Sequence, residues 1–176
     1  MAENSQPAEP LSQRVADAPS GNWFDAVAPV WAIPYGHLAR FDRLIGAWLL
    51  LFPCWWSQAL AEVNLGRTHP NVWFLVLFLI GAFVMRGAGC THNDIVDREY
   101  DKRVARTASR PIPSGRVTVL QAFLFGIALC LVGLAVLVQF NRFTVLLGMA
   151  SLLLVAIYPF AKRVTNWAQL VLGLTF

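Results

Sequence analysis

Charged residues are scarce in this chain. Lys, Arg, Asp and Glu make up 14% of its 176 residues, where soluble domains carry about 25%. Beside a 57% hydrophobic composition and a mean hydropathy of +0.54, that shortage excludes an ordinary soluble domain and points to a membrane protein. Cysteine is sparse too. Cys54, Cys90 and Cys130 stand singly in apolar segments, match neither disulfide nor zinc spacing, and read as small packing residues. The opening "MAENSQPAEPLSQRVADAPSGN" lacks the apolar core of a signal peptide. It is polar and rich in Pro, Ser and Ala, so residues 1–39 are expected to be a disordered cytoplasmic tail followed by an interfacial segment. No nucleic-acid partner is expected.

What the chain does have is long apolar runs. They recur near Leu44–Ala61, Val72–His92, Val117–Phe140 and Phe143–Phe160, each close to the ~20 residues that cross a bilayer core. A fifth run begins near Trp167 and stops at Phe176. Since an unpaired backbone group in lipid costs several kcal/mol, a break at that point is expected to belong to a longer protein. The expected fold is an all-α, polytopic transmembrane bundle: four complete spans and the start of a fifth, with residues 40–176 as the N-terminal part of the membrane domain.

The basic residues are unevenly placed. Arg14, Arg40 and Arg43 precede the first span. Arg98, Lys102, Arg103, Arg106, Arg110 and Arg116 lie between the second and third, and Lys162 and Arg163 follow the fourth. The other side has Arg67 and Arg142, and Arg86 stands inside a span. The positive-inside rule puts the N-terminus and the connection after the second span in the cytoplasm. A basic site for an anionic substrate would produce the same bias.

Four of the ten acidic residues fall in one short stretch, "NDIVDREYD", residues 93–101. If the second helix continues through it at about 100° per residue, Asn93, Asp94, Asp97 and Asp101 share an arc of about 100°. Arg86 joins that arc two turns back, whereas Glu99 points elsewhere. Three carboxylates and an amide on one face suit a divalent cation, and Mg²⁺ is usually held by one or two carboxylates plus phosphate oxygens and water. Nearby Arg and Lys would hold the phosphates. The plainer alternative is a solvated helix end with pairs such as Asp94–Arg98 and Glu99–Arg103. It does not require the acids to share a face. A charge inside a span points to function, unless Arg86 only snorkels to the interface. In "RTASRPIPSG", residues 106–115, the prolines and glycine read as a connector, and Arg110 returns a guanidinium toward the acids.

These residues resemble the UbiA superfamily of intramembrane prenyltransferases, and its 4-hydroxybenzoate branch most closely. Asn93, Asp94, Asp97 and Asp101 match the family's first aspartate-rich motif, N-D-x-x-D-x-x-x-D. "MRGAGCTH" before it and "RTASRPIPSG" after it are typical of that branch. "RFDRLIGAWLLLFP" resembles the first-helix signature, with Leu44 where proline is common. "YPFAKRVTNWAQLVLG" resembles the fourth-to-fifth-helix signature, with Ala168 for an expected proline. The likeness runs from about Arg40 to the end.

The resemblance implies about nine transmembrane helices around a central cavity, all helical because a spanning backbone must satisfy its own hydrogen bonds. It also implies Mg²⁺, a polyprenyl diphosphate donor and 4-hydroxybenzoate as acceptor in ubiquinone synthesis, in a bacterial or mitochondrial inner membrane. Asn93, Asp94, Asp97 and Asp101 would hold the metal. Asp97, Asp101 and Arg110 would carry the chemistry, with Arg43, Arg86, Asn93, Lys102, Lys162 and Arg163 binding diphosphate or the acceptor carboxylate. The family's second aspartate-rich motif, expected on the sixth helix, lies beyond this chain. Rival expectations are a haem o, menaquinone or chlorophyll type prenyltransferase, an inactive truncated product, and a transporter with charges along its pathway; the last is disfavoured by the lack of a second copy of the acidic motif.

Overall fold

The computed structural model describes residues 15–16 and 22–164, with backbone alone for 154 and 156–164. Helices α1 (Trp23–Val27), α2 (Ile33–Leu38), α3 (Ile45–Asn64), α4 (Val72–Asp101), α5 (Val119–Leu137) and α6 (Arg142–Val164) succeed one another along the chain, with no strand among the described residues. Short polar side chains start the long ones by taking up backbone N–H groups that a helix leaves unpaired. The Asn71 side chain accepts from the Trp73 amide, Asn141 accepts from the Thr144 amide at 2.8 Å, and Thr118 and Gln121 form a reciprocal capping box.

Helix α3 begins without a side-chain cap and carries Pro53 inside it. Helix α4 runs unbroken through the acidic stretch, because nothing between Gly89 and Asp101 interrupts helical backbone. At its end the Thr107 hydroxyl donates to the Asp101 carbonyl at 3.0 Å.

Length decides what lies in lipid. Thirty residues make about 45 Å of helix against a hydrocarbon core of about 30 Å, so about one third of α4 must project. The charged C-terminal third is the part that water would accept. Helices α4 and α5 are each long and apolar enough to cross a membrane. Helix α3, at 20 residues, has the length for a span. The four runs expected from sequence thus correspond in order to α3, α4, α5 and α6, whereas the fifth, from Trp167, lies outside the described residues.

Helices α3 and α4 pack antiparallel. Gly46 meets Arg86, Trp48 meets Phe83 ring to ring at 6.2 Å, and the Trp55 indole donates to the Leu75 carbonyl at 3.1 Å. Helix α5 runs along another face of α4, where Gly126 lies against Thr91 and Gly133 against Met85. Such small residues let helices approach closely in lipid, where packing replaces the hydrophobic drive. Large apolar side chains such as Leu60, Leu120, Phe143 and Leu146 are exposed, a surface for lipid or further helices.

The expected boundary at residue 40 falls in the corner between α2 and α3. Residues 22–39 belong with the long helices, since α2 packs on α4 and α5. Leu38, Ile112, Val117 and Ala122 form a buried cluster joined by Tyr35, Ile95 and Phe125. That cluster clamps the connection between α4 and α5 to the charged end of α4.

Candidate functional site

The C-terminal turns of α4 carry the acidic motif, and the two segments packed on them supply its counter-charges. Arg110, in the α4–α5 connection, donates from Nη1 to Asp101 Oδ2 at 2.9 Å and to Asp94 Oδ1 at 3.3 Å. Arg40, in the α2–α3 corner, donates from Nη2 to Asp94 Oδ1 at 2.9 Å and to Oδ2 at 3.1 Å. Arg40 Nη1 also donates to the His37 carbonyl at 3.3 Å. The Asp94 and Arg40 side chains are 3% and 9% exposed, so this pair sits in a low dielectric. There an unpaired charge costs far more than in water. By sequence Arg40 counts toward the charge bias and opens the first-helix signature, and nothing local marks its pairing with Asp94.

The backbone at Arg40 is unusual as well. Its φ is +60°, a left-handed conformation found at no other non-glycine residue among those described. An L residue pays roughly 1–2 kcal/mol to adopt it. Strain of this kind persists where the surroundings over-determine it, and it clusters at functional sites.

Around this core sit further polar contacts. His37 Nε2 and Asp25 Oδ1 are 2.8 Å apart, and Asn22 Nδ2 donates to Asp25 Oδ2 at 2.6 Å. The connection is braced by Arg116, which donates to the Ser109 carbonyl. Burial pushes the Arg116 guanidinium below its ordinary pKa, an effect opposed by the nearby charge of Asp25.

The other expected site residues divide. Glu99 is exposed, with Lys102 Nζ at 3.4 Å and Arg98 Nε at 3.6 Å. This agrees with its expected direction away from the motif, but it draws Lys102 to that outer face rather than toward Arg110. Arg43 is bound to Asp42 Oδ2, from Nη2 at 2.8 Å and Nε at 3.0 Å. Lys162 and Arg163 lie on the last turns of α6, where only backbone is described. Arg86 is exposed, with its guanidinium against Gly46; a Cβ built there would come within 2.5 Å of Nε.

The expected metal set of Asn93, Asp94, Asp97 and Asp101 does share one helix, but it is not assembled as one carboxylate group. Among the described residues no three His, Cys, Asp or Glu side chains come together as a metal-binding group. The physical reason is that Asp94 and Asp101 turn toward guanidinium groups. What fits a hard cation is the remainder of the face. Asn93 Oδ1 is buried and accepts no hydrogen bond, and half-buried Asp97 lies one turn later. An amide oxygen and a carboxylate, with phosphate oxygens and water, make a normal Mg²⁺ environment.

Several known proteins are similar to this chain. A 4-hydroxybenzoate polyprenyltransferase, mitochondrial, from Aedes aegypti is 51% identical over 143 residues, covering 81% of this chain and 32% of that protein. The protein of the same name from Rattus norvegicus is also 51% identical, over 81% of this chain and 38% of its own length. A 4-hydroxybenzoate octaprenyltransferase from Tolumonas auensis is 47% identical over 86% of this chain and 51% of its own. The chain therefore spans about a third to a half of the length of the curated relatives it matches. No solved structure matches it. Members of the matching family are generally divalent-metal dependent. The family profile covers residues 22–176, starting ahead of the Arg40 at which the sequence resemblance begins and taking in α1 and α2: the chain belongs to the UbiA prenyltransferase family.

Proposed function

We propose that this chain serves the transfer of a polyprenyl group from polyprenyl diphosphate to the ring of 4-hydroxybenzoate, ortho to the hydroxyl, in ubiquinone synthesis at a bacterial or mitochondrial inner membrane. The observation that carries this reading is the polar end of α4. There a buried amide oxygen without a partner and a carboxylate one turn on share the helix end whose Asp94 and Asp101 bind the Arg110 guanidinium. The relatives' names supply the substrates.

Breaking an allylic C–O bond leaves a carbocation and a diphosphate bearing three negative charges, and groups that neutralise the diphosphate stabilise that transition state. Asn93 and Asp97 would hold Mg²⁺, which when bound supplies positive charge to the diphosphate oxygens, while Asp101 holds Arg110. Arg110 contributes a planar guanidinium to the same leaving group. Arg86 lies two turns deeper in α4 and would meet either the diphosphate or the acceptor carboxylate. Lys162 and Arg163, on the last turns of α6, would be further cations for the same anions. Arg43, already on Asp42, would contribute by exchange of that partner. Aromatic side chains along α3, Trp48, Phe52 and Trp55 among them, would face cationic character with their ring π-systems. The allyl carbon bonds to the ring carbon ortho to the hydroxyl, and loss of that carbon's proton restores aromaticity.

The test is transfer from a labelled polyprenyl diphosphate by the membrane-inserted protein, with and without Mg²⁺, against a panel of aromatic and quinone-precursor acceptors. Mg²⁺-dependent labelling of 4-hydroxybenzoate in preference to the others is expected. Labelling of a different acceptor, or none at any Mg²⁺ concentration, would refute the proposal.

A further inference from the structure

We propose that Asp94 is a positioning residue for Arg110 and not a metal ligand, and that Arg40 is the fixed counter-charge that makes this possible. The inference rests on the prenyltransferase reading for the identity of the anion Arg110 meets. Its geometry stands apart from that reading.

Both oxygens of Asp94 are engaged by Arg40, at 2.9 and 3.1 Å, and Oδ1 also by Arg110 at 3.3 Å. A metal at Asp94 would have to displace a guanidinium that is itself 9% exposed. That would strand a buried cation. The neighbouring Asn93 presents the opposite case, a buried oxygen with no partner and so nothing to displace.

Asp94 and Asp101 lie two turns apart on α4 and both hold the same nitrogen of Arg110, Nη1. Two fixed acceptors on one nitrogen set the direction in which a planar guanidinium faces. Arg40 reaches Asp94 across 54 residues of chain from a strained left-handed position. The α2–α3 corner is thereby tied to the same carboxylate that aims Arg110. The two guanidinium groups offset the charge of the two carboxylates they bind, which eases their burial. Asn93, whose buried oxygen accepts no hydrogen bond, and Asp97 one turn on then meet the metal diphosphate.

The full membrane-inserted chain tests this with two readouts. The first is Mn²⁺ affinity, by electron paramagnetic resonance, with saturating inorganic pyrophosphate as probe. Asp97→Asn should weaken it by about tenfold or more, while Asp94→Asn leaves it within about twofold. The second is KM for the diphosphate donor. Asp94→Asn and Arg110→Lys should each raise it by about tenfold, and the double variant should be no worse than Arg110→Lys alone, as expected of residues that act as a unit.

Mn²⁺ loss in Asp94→Asn as large as in Asp97→Asn would overturn the proposal, as would multiplicative effects of the two substitutions on donor KM. Should Asp94→Asn fail to insert, Arg40→Lys keeps the charge but loses the planar group. It must then raise donor KM with Mn²⁺ affinity intact, and a fall in that affinity refutes the assignment. If the wild type transfers no prenyl group, the functional reading falls. The Mn²⁺ contrast, with pyrophosphate affinity replacing KM in the double-variant comparison, still decides the role of Asp94.

Discussion

Replacing Arg40 by alanine and by glycine separates what its side chain contributes from what its backbone costs. Either change removes the guanidinium from Asp94. With exposures of 9% and 3% the pair is dry enough that breaking it should cost about 3–5 kcal/mol. The backbone then acts with opposite sign in the two variants. At φ +60° alanine keeps the left-handed penalty of roughly 1–2 kcal/mol. Glycine escapes it but loses about 0.4–1 kcal/mol more chain entropy on folding.

Arg40→Gly should therefore be more stable than Arg40→Ala by about 0.5–1 kcal/mol, the reverse of their order in a helix. For a chain of this size that is about 1–4 °C in Tm, measurable by thermal unfolding in detergent followed by circular dichroism. An alanine variant as stable as the glycine variant would refute the strain argument. Two variants within about 1 kcal/mol of the wild type would refute the assigned strength of the buried pair.

Other contacts can be tested in the same way. Asp97→Asn should lower prenyl transfer by about 10²–10³, while Glu99→Gln, on the exposed face with Lys102, should change it by less than about twofold; equal damage in well-inserted protein would contradict the division of the two faces. Gly36→Ala would drive a Cβ into the Phe24 ring and should loosen α1 at an overpacking cost of about 1–3 kcal/mol, visible as faster proteolysis near Trp23; unchanged proteolysis would count against the α1–α2 contact. A cysteine at exposed Ser114 should be labelled by a membrane-impermeant thiol reagent from the cytoplasmic or equivalent side, and labelling from the opposite side would reverse the orientation drawn from the charge bias.

Helical periodicity settled much in advance. The order of the apolar runs, the unbroken passage of α4 through residues 93–101 and the outward direction of Glu99 all come from a rotation of about 100° per residue. That is a local property, which neighbouring residues specify among themselves. The same regularity put Asp94 and Asp101 within about 20° of each other, close enough to share Arg110.

Which partners those carboxylates take was decided by tertiary structure. Arg40 reaches Asp94 only because the α2–α3 corner folds back over the end of α4, and the left-handed backbone that permits it has no signature in an arginine codon or its neighbours. By sequence Lys102 and Arg110 are both expected to serve the site, Arg110 by returning toward the acids and Lys102 by binding diphosphate or the acceptor carboxylate. The helix carries Lys102 out to Glu99, whereas the clamp of Leu38, Ile112 and Val117 holds the connection so that Arg110 comes back. Ion pairing between distant segments depends on which surfaces pack and on which charges burial leaves no water to satisfy, and neither is written in the spacing of residues along the chain.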